Sequence, residues 1–253
     1  MTSATESAAR DALRARQGPG ARYDAPLAPA DELALARRGT AYFARVLNGL
    51  PDEDFGAPSL VSGWTRAAVI AHVGYNARAL ARVVEGARTG IDLPMYACEE
   101  ARAEEIARGA SLPPRALRNL FRHAAVHLDV EWRDLADAGW DVLARGRNGG
   151  PLPIRETPWL RAREVWLHAV DLDCGGSFSD FPAEFTGRML ATLAGAAGLT
   201  LSPVPRPQAE ARVSGAGTEV SGRPADLVRW LAGRGARRLA GGLPDLPGPA
   251  DEG

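Results

Sequence analysis

Apolar residues in the first two thirds of this chain recur at intervals of three and four, and they do so in four separate stretches. That spacing places them on one face of an α-helix, and a helix with one apolar face must bury it against other elements. The first stretch runs from about Pro29 to Leu50, with Leu35, Tyr42, Phe43, Val46, Leu47 and Leu50 on its face. Thr65 is a good N-cap for the second, which continues through Glu85 with Val69, Val73, Leu80 and Val83 as its stripe. A crossover marked by Pro and Gly and a short helix near Cys98–Arg108 lead to the third, "SLPPRALRNLFRHAAVHLDVEWRDLADAG". There Ser111 is the expected cap, the prolines fall in the first turn, and Leu117, Phe121, Ala124, Leu128 and Leu135 form the stripe. "RGRNGGPLPIRET" reads as a loop, after which Thr157 and Pro158 open the fourth helix. Four amphipathic helices with a long crossover describe a helical bundle.

From about Asp180 the pattern shortens. A helix is expected over Pro182–Ala197, then a β-hairpin from "AEARVSG" and "TEVSG", then a helix in "RPADLVRWLAGRG" stopped by Gly. The chain therefore reads as mainly α: a helical bundle over residues 27–178 followed by a small α/β domain over 179–243. Residues 1–26 read as a flexible N-terminal arm and 244–253 as a loose tail.

Composition narrows the partners. The 253 residues carry a net charge of −1, which gives no reason to expect nucleic acid or an anionic membrane surface. No segment approaches the roughly 20 apolar residues that span a bilayer. Cys98 and Cys174 make no disulfide framework, and the N-terminus lacks the apolar run of a signal peptide, so the expectation is a cytoplasmic protein. A monomer or small homo-oligomer is expected.

The fourth helix carries the chemistry. In "RAREVWLHAVDLD", Val165, Ala169 and Leu172 supply the core face, while Glu164 and His168 stand four residues apart with Arg161 and Asp171 in line. Residues so spaced point the same way and can share one ion, and catalytic zinc takes three nitrogen or oxygen ligands with a position left open. A third ligand must come from another helix. His72, one residue from the core position Val73, is a candidate, although a hydrogen-bonded core imidazole is the commoner reading of such a pattern. His123, His127 and Glu131 form a competing line on the third helix, where the crowd of Arg118, Arg122 and Arg133 favours a solvated face. Spacing alone does not separate the two sets.

"SLVSGWTRAAVIAHVGYNARAL", "RTGIDLPMY" and "ETPWLRAREVWLHAVDLDCGGSFSDFP" together resemble the mycothiol-dependent maleylpyruvate isomerases, in the right order and within a likeness extending from about Pro29 to Gly241. The resemblance implies a DinB-like metal-binding four-helix bundle with a small C-terminal α/β domain. It implies a divalent metal, zinc by preference, held by His72 of the "AHV" block and by Glu164 and His168 of "EVWLH". Mycothiol and a small dicarboxylate substrate are the implied partners. In the family's reaction, part of gentisate degradation, a thiolate adds to the cis double bond of maleylpyruvate, the resulting single bond rotates, and elimination leaves fumarylpyruvate. The transient enolate and two carboxylates call for fixed cations. Arg234 in the shared "WLAGR" block is the candidate, with Arg237 and Arg238 close by in sequence. Trp159 and Trp166 read as core, and Tyr96 as either buried or facing the pocket. Two alternatives stay open: a mycothiol S-transferase acting on another electrophile, and a non-catalytic member that binds thiol or metal as a regulator.

Overall fold

The structure, a computed structural model, describes residues 23–203, 210–215 and 217–242. Most of the expected N-terminal arm and all of the expected tail lie outside the described residues. Five helices make up the first part: α1 (Ala30–Gly49), α2 (Arg66–Thr89), α3 (Glu99–Ala110), α4 (Pro114–Asp134) and α5 (Thr157–Asp171). The long helices pack as two pairs, α1 on α5 and α2 on α4, and α2 also touches α5, closing the DinB-like four-helix bundle. Every stripe residue named from periodicity is buried in its core.

Local chemistry explains most of the helix limits. The Thr65 hydroxyl accepts from the backbone N–H of Ala68 at 3.2 Å, capping α2 as expected, and Gly90 ends that helix at φ 74°. The expected cap of α4 is corrected. Ser111 belongs to the end of α3, where its N–H and hydroxyl both donate to the Arg108 carbonyl, at 3.3 and 2.8 Å. The reason is the double proline: a residue before proline is kept out of the α region, so the helix begins only at Pro114, with Pro113 extended at ψ 154°. The segment "RGRNGGPLPIRET" is likewise more than a loop. It holds an antiparallel hairpin of β1 (Leu143–Arg145) and β2 (Pro151–Pro153), with Leu152 turned into the core. The prolines and glycines around these short strands hide them from a reading based on alternation.

The second part contains α6 (Ala183–Ala196), β3 (Thr200–Pro203), β4 (Ala211–Gly215), β5 (Thr218–Gly222), α7 (Pro224–Leu231) and β6 (Ala240–Gly241). The expected hairpin is β4–β5, with Val213 opposite Val220 and both buried, and it lies within a four-stranded antiparallel sheet ordered β3-β4-β5-β6. Beside α5, Phe181 and Phe185 pack on Trp166, which stacks on Tyr42 of α1 at 4.9 Å between ring centroids. The Tyr42 hydroxyl donates to Asp180 at 2.7 Å. These contacts, together with Phe185 against Trp159 in the first turn of α5, seat the α/β part against α1 and α5. No helix among the described residues is long and apolar enough to cross a membrane.

Candidate metal centre

The polar face of α5 is turned inward. Glu164 is 7% exposed, His168 6%, Arg161 1%, and Asp171 is wholly buried. Charges removed from water need partners or an ion, so the solvated-face reading fails for this helix. Across from it, α2 presents His72, 2% exposed, with its Nε2 2.7 Å from Glu164 Oε2. Nε2 of His168 lies 3.3 Å from the same oxygen. The two imidazoles meet edge to face at 4.9 Å, and one ligand atom from each of the three residues falls within 4.8 Å of the others. This is the one group of its kind found among the described residues.

Further contacts fix the imidazoles. Nδ1 of His168 is 2.8 Å from Asp171 Oδ2, the carboxylate-backed arrangement that directs Nε2 of a ligating histidine toward its ion. The indole of Trp64 stands edge-on to His72 at 5.4 Å. Burial opposes protonation of both histidines. At His72 burial wins and the pKa falls below its ordinary value. At His168 the hydrogen bonds to Asp171 and Glu164 outweigh burial, and the pKa rises to about 9. Burial also opposes ionisation of Glu164, yet the two imidazoles outweigh it and hold the carboxyl well below the usual range. A buried carboxylate shared by two imidazoles, one of them backed by a second carboxylate, suits a divalent ion of zinc type.

The competing line is different. His123 and His127 are exposed, and Glu131 is already paired with Arg88 at 2.9 Å. Arg234 comes from the turn after α7 and is held by Asp171 through Nε and Nη2, at 3.0 and 2.8 Å, while its Nη1 donates to the Ala232 carbonyl. Arg237 and Arg238 instead line a surface cleft of about 430 Å³ with Arg223 and Arg229, which His72, Glu164 and His168 do not line. Trp159 and Trp166 are core residues, as expected. Tyr96 is partly buried, and burial pushes its hydroxyl up to about 12. Cys98 is exposed at the start of α3, and Cys174 is half-buried.

Sequence reasoning missed Arg102. It lies on α3 with Nη2 3.4 Å from Nδ1 of His72. The available signal was its place one and two turns before Ile106 and Gly109, the other buried residues of that otherwise exposed helix.

Residues 36–173 match the family model for the mycothiol maleylpyruvate isomerase N-terminal domain. Two solved structures are similar over 87% of this chain and 97% of theirs, each with a TM-score of 0.78. One is a mycothiol-dependent maleylpyruvate isomerase at 37% identity, and the other a histidine-to-alanine variant of such an enzyme at 36%. The chain matches none of the curated proteins compared with it.

Proposed function

The chain belongs to the mycothiol-dependent maleylpyruvate isomerase family, and from that membership we propose that it is a metal- and mycothiol-dependent cis-trans isomerase converting maleylpyruvate to fumarylpyruvate. The observation that carries the reading is the buried convergence of His72, Glu164 and His168 in the segment that matches the family.

These three residues are assigned as the ligands of one divalent ion, zinc by preference. Bound there with an open position, the ion would favour the thiolate of mycothiol, the form that adds to an activated double bond and leaves it again. Asp171 accepts the Nδ1 hydrogen of His168 and so keeps Nε2 directed at Glu164. Arg234 is assigned the cationic role toward the substrate, where negative charge grows on the pyruvyl oxygen. Its guanidinium is fixed in position by Asp171, which is the preorganisation such a role needs. The burial of His72, Glu164 and His168, with Trp64 against His72, limits water at the reacting groups.

The test is an ultraviolet assay of maleylpyruvate loss by the zinc-loaded protein with and without mycothiol. Mycothiol-dependent appearance of fumarylpyruvate supports the reading. Turnover without any thiol overturns it, and consumption of mycothiol with another electrophile but not with maleylpyruvate would mark an S-transferase instead.

A further inference from the structure

Arg102 and Arg161 are buried cations with too few acceptors around them. Nη1 of Arg161 donates to the Val73 carbonyl at 2.7 Å and to Asn76 Oδ1 at 2.9 Å, both neutral groups. Its Nε and Nη2 are buried with no partner among the described residues. Glu164, one turn further along α5, is already engaged by His72 and His168. Arg102 is 8% exposed, and its Nε is also buried without a partner. Its carboxylate partner, Glu99 at 3.0 Å, is half-exposed and shared with Arg147, which reaches it through two nitrogens at 2.8 Å. Burying guanidinium groups in this way is strongly unfavourable unless an anion completes the site.

Two features say which anion. Once Nε2 of His72 is given to a metal, the remaining ring hydrogen belongs on Nδ1. Nδ1–H and the Arg102 Nη2–H, 3.4 Å apart, are then two donors facing each other, and an acceptor is needed between them. Both guanidiniums also flank His72: Arg102 contacts its ring and faces Tyr96, with its guanidinium carbon 5.9 Å from that ring's centroid, and Arg161 is held by Val73 and Asn76, next to His72 and one turn beyond it on α2. Asp171 is balanced by Arg234 and Glu99 by Arg147, so with a divalent ion bound Glu164 would be the one carboxylate left to offset the ion and these two cations. A single thiolate leaves that charge unbalanced, whereas a thiolate together with a dicarboxylate balances it.

We propose that Arg102 and Arg161 bind a carboxylate of the substrate, Arg102 from α3 and Arg161 from α5, through the N–H groups the protein leaves without acceptors. This assignment rests on the isomerase reading, since it needs a dicarboxylate substrate.

Calorimetric titration of maleate, a simple cis-dicarboxylate, into the zinc-loaded protein without thiol tests it. Wild type binds maleate, and Arg102→Gln and Arg161→Gln bind it roughly 10- to 100-fold more weakly, the range for lost hydrogen bonds to a charged group. Arg102→Lys falls between, because an ammonium keeps the charge but not the planar fork. Zinc content of the same samples is unchanged, and in turnover the loss appears in KM more than in kcat. Arg161 ties α5 to α2, so its variant is the one at risk of misfolding. Arg102 lies on a mostly exposed helix, and its variants decide the matter by themselves. Maleate affinity of Arg102→Gln within twofold of wild type overturns the assignment and leaves the isomerase reading standing. Failure of wild type itself to bind maleate, with no turnover of maleylpyruvate, overturns both.

Discussion

Arg234 grips Asp171 with Nε to Oδ1 at 3.0 Å and Nη2 to Oδ2 at 2.8 Å, across 63 residues of sequence. Asp171 Oδ2 in turn holds Nδ1 of His168 at 2.8 Å. Burial opposes ionisation of Asp171, but the hydrogen bonds from His168 and Arg234 outweigh it and keep its pKa below the ordinary value. The α/β part thus reaches the bundle's central imidazole through one carboxylate.

Removing either member of this relay is expected to have a distinct effect. Arg234→Ala should lower the rate about 10²–10³-fold, equivalent to about 2.7–4 kcal/mol of transition-state stabilisation. Arg234→Lys should restore only part of it. Metal content at saturating zinc should be normal in both, since arginine is no ligand. Asp171→Asn should instead weaken zinc affinity, by about 10- to 100-fold in a chelator competition. Near-wild-type turnover by folded, zinc-loaded Arg234→Ala would remove Arg234 from the reaction.

Metal analysis should distinguish the two histidine lines. His168→Ala should lose most bound metal, whereas His123→Ala and His127→Ala, both on an exposed face, should keep it. The reverse result would place the ion on α4.

Zinc binding should depend on pH through His168. In the metal-free protein its folded pKa, about 9, is raised from the ordinary value of 6.5. The stabilisation from its protonated form is therefore complete below about pH 6.5 and is lost as pH rises through about 9. The melting temperature of zinc-free protein should carry a falling contribution across that window, absent in His168→Gln. Zinc must displace the same proton, so affinity should climb up to about tenfold per pH unit over the same range. A zinc affinity independent of pH there would contradict the His168 assignment.

Close packing of α1 on α5 is a stability test. A Cβ on Gly39 would lie 2.5 Å from Val165 Cγ2 and 2.7 Å from Trp166 Nε1. Overpacking of this kind costs about 1–3 kcal/mol. The better helix propensity of Ala, about 1 kcal/mol, offsets only part of it. Gly39→Ala should therefore unfold at lower denaturant concentration than wild type, and an unchanged midpoint would show that the two helices can separate freely.

The protein's own thiols should be dispensable. Cys98 is exposed and its sulfur accepts from the Ala101 N–H at 3.4 Å, a capping role that a serine hydroxyl can take over. The Cys98→Ser/Cys174→Ser double variant should keep most mycothiol-dependent turnover. Loss of activity in a folded, zinc-loaded double variant would implicate a protein thiol.

Periodicity alone was enough to place the four long helices and their buried stripes, because which residues share a helix face follows from spacing within one segment. It also made Glu164 and His168 neighbours, and the blocks around His72 and Glu164 carried the family resemblance with which residues 36–173 agree. Short-range steric effects went further than the cap rule that favoured Ser111: two consecutive prolines moved the start of α4 to Pro114. What no local pattern contained was the direction in which the charged face of α5 points. A line of Arg161, Glu164, His168 and Asp171 reads the same whether water or another helix lies opposite. Only the packing of α2 and of the turn bearing Arg234 over that face removed it from solvent, brought His72 within 2.7 Å of Glu164, and set Arg102 beside His72. Burial and charge pairing depend on what sits across from a residue, and those partners come from distant parts of the chain.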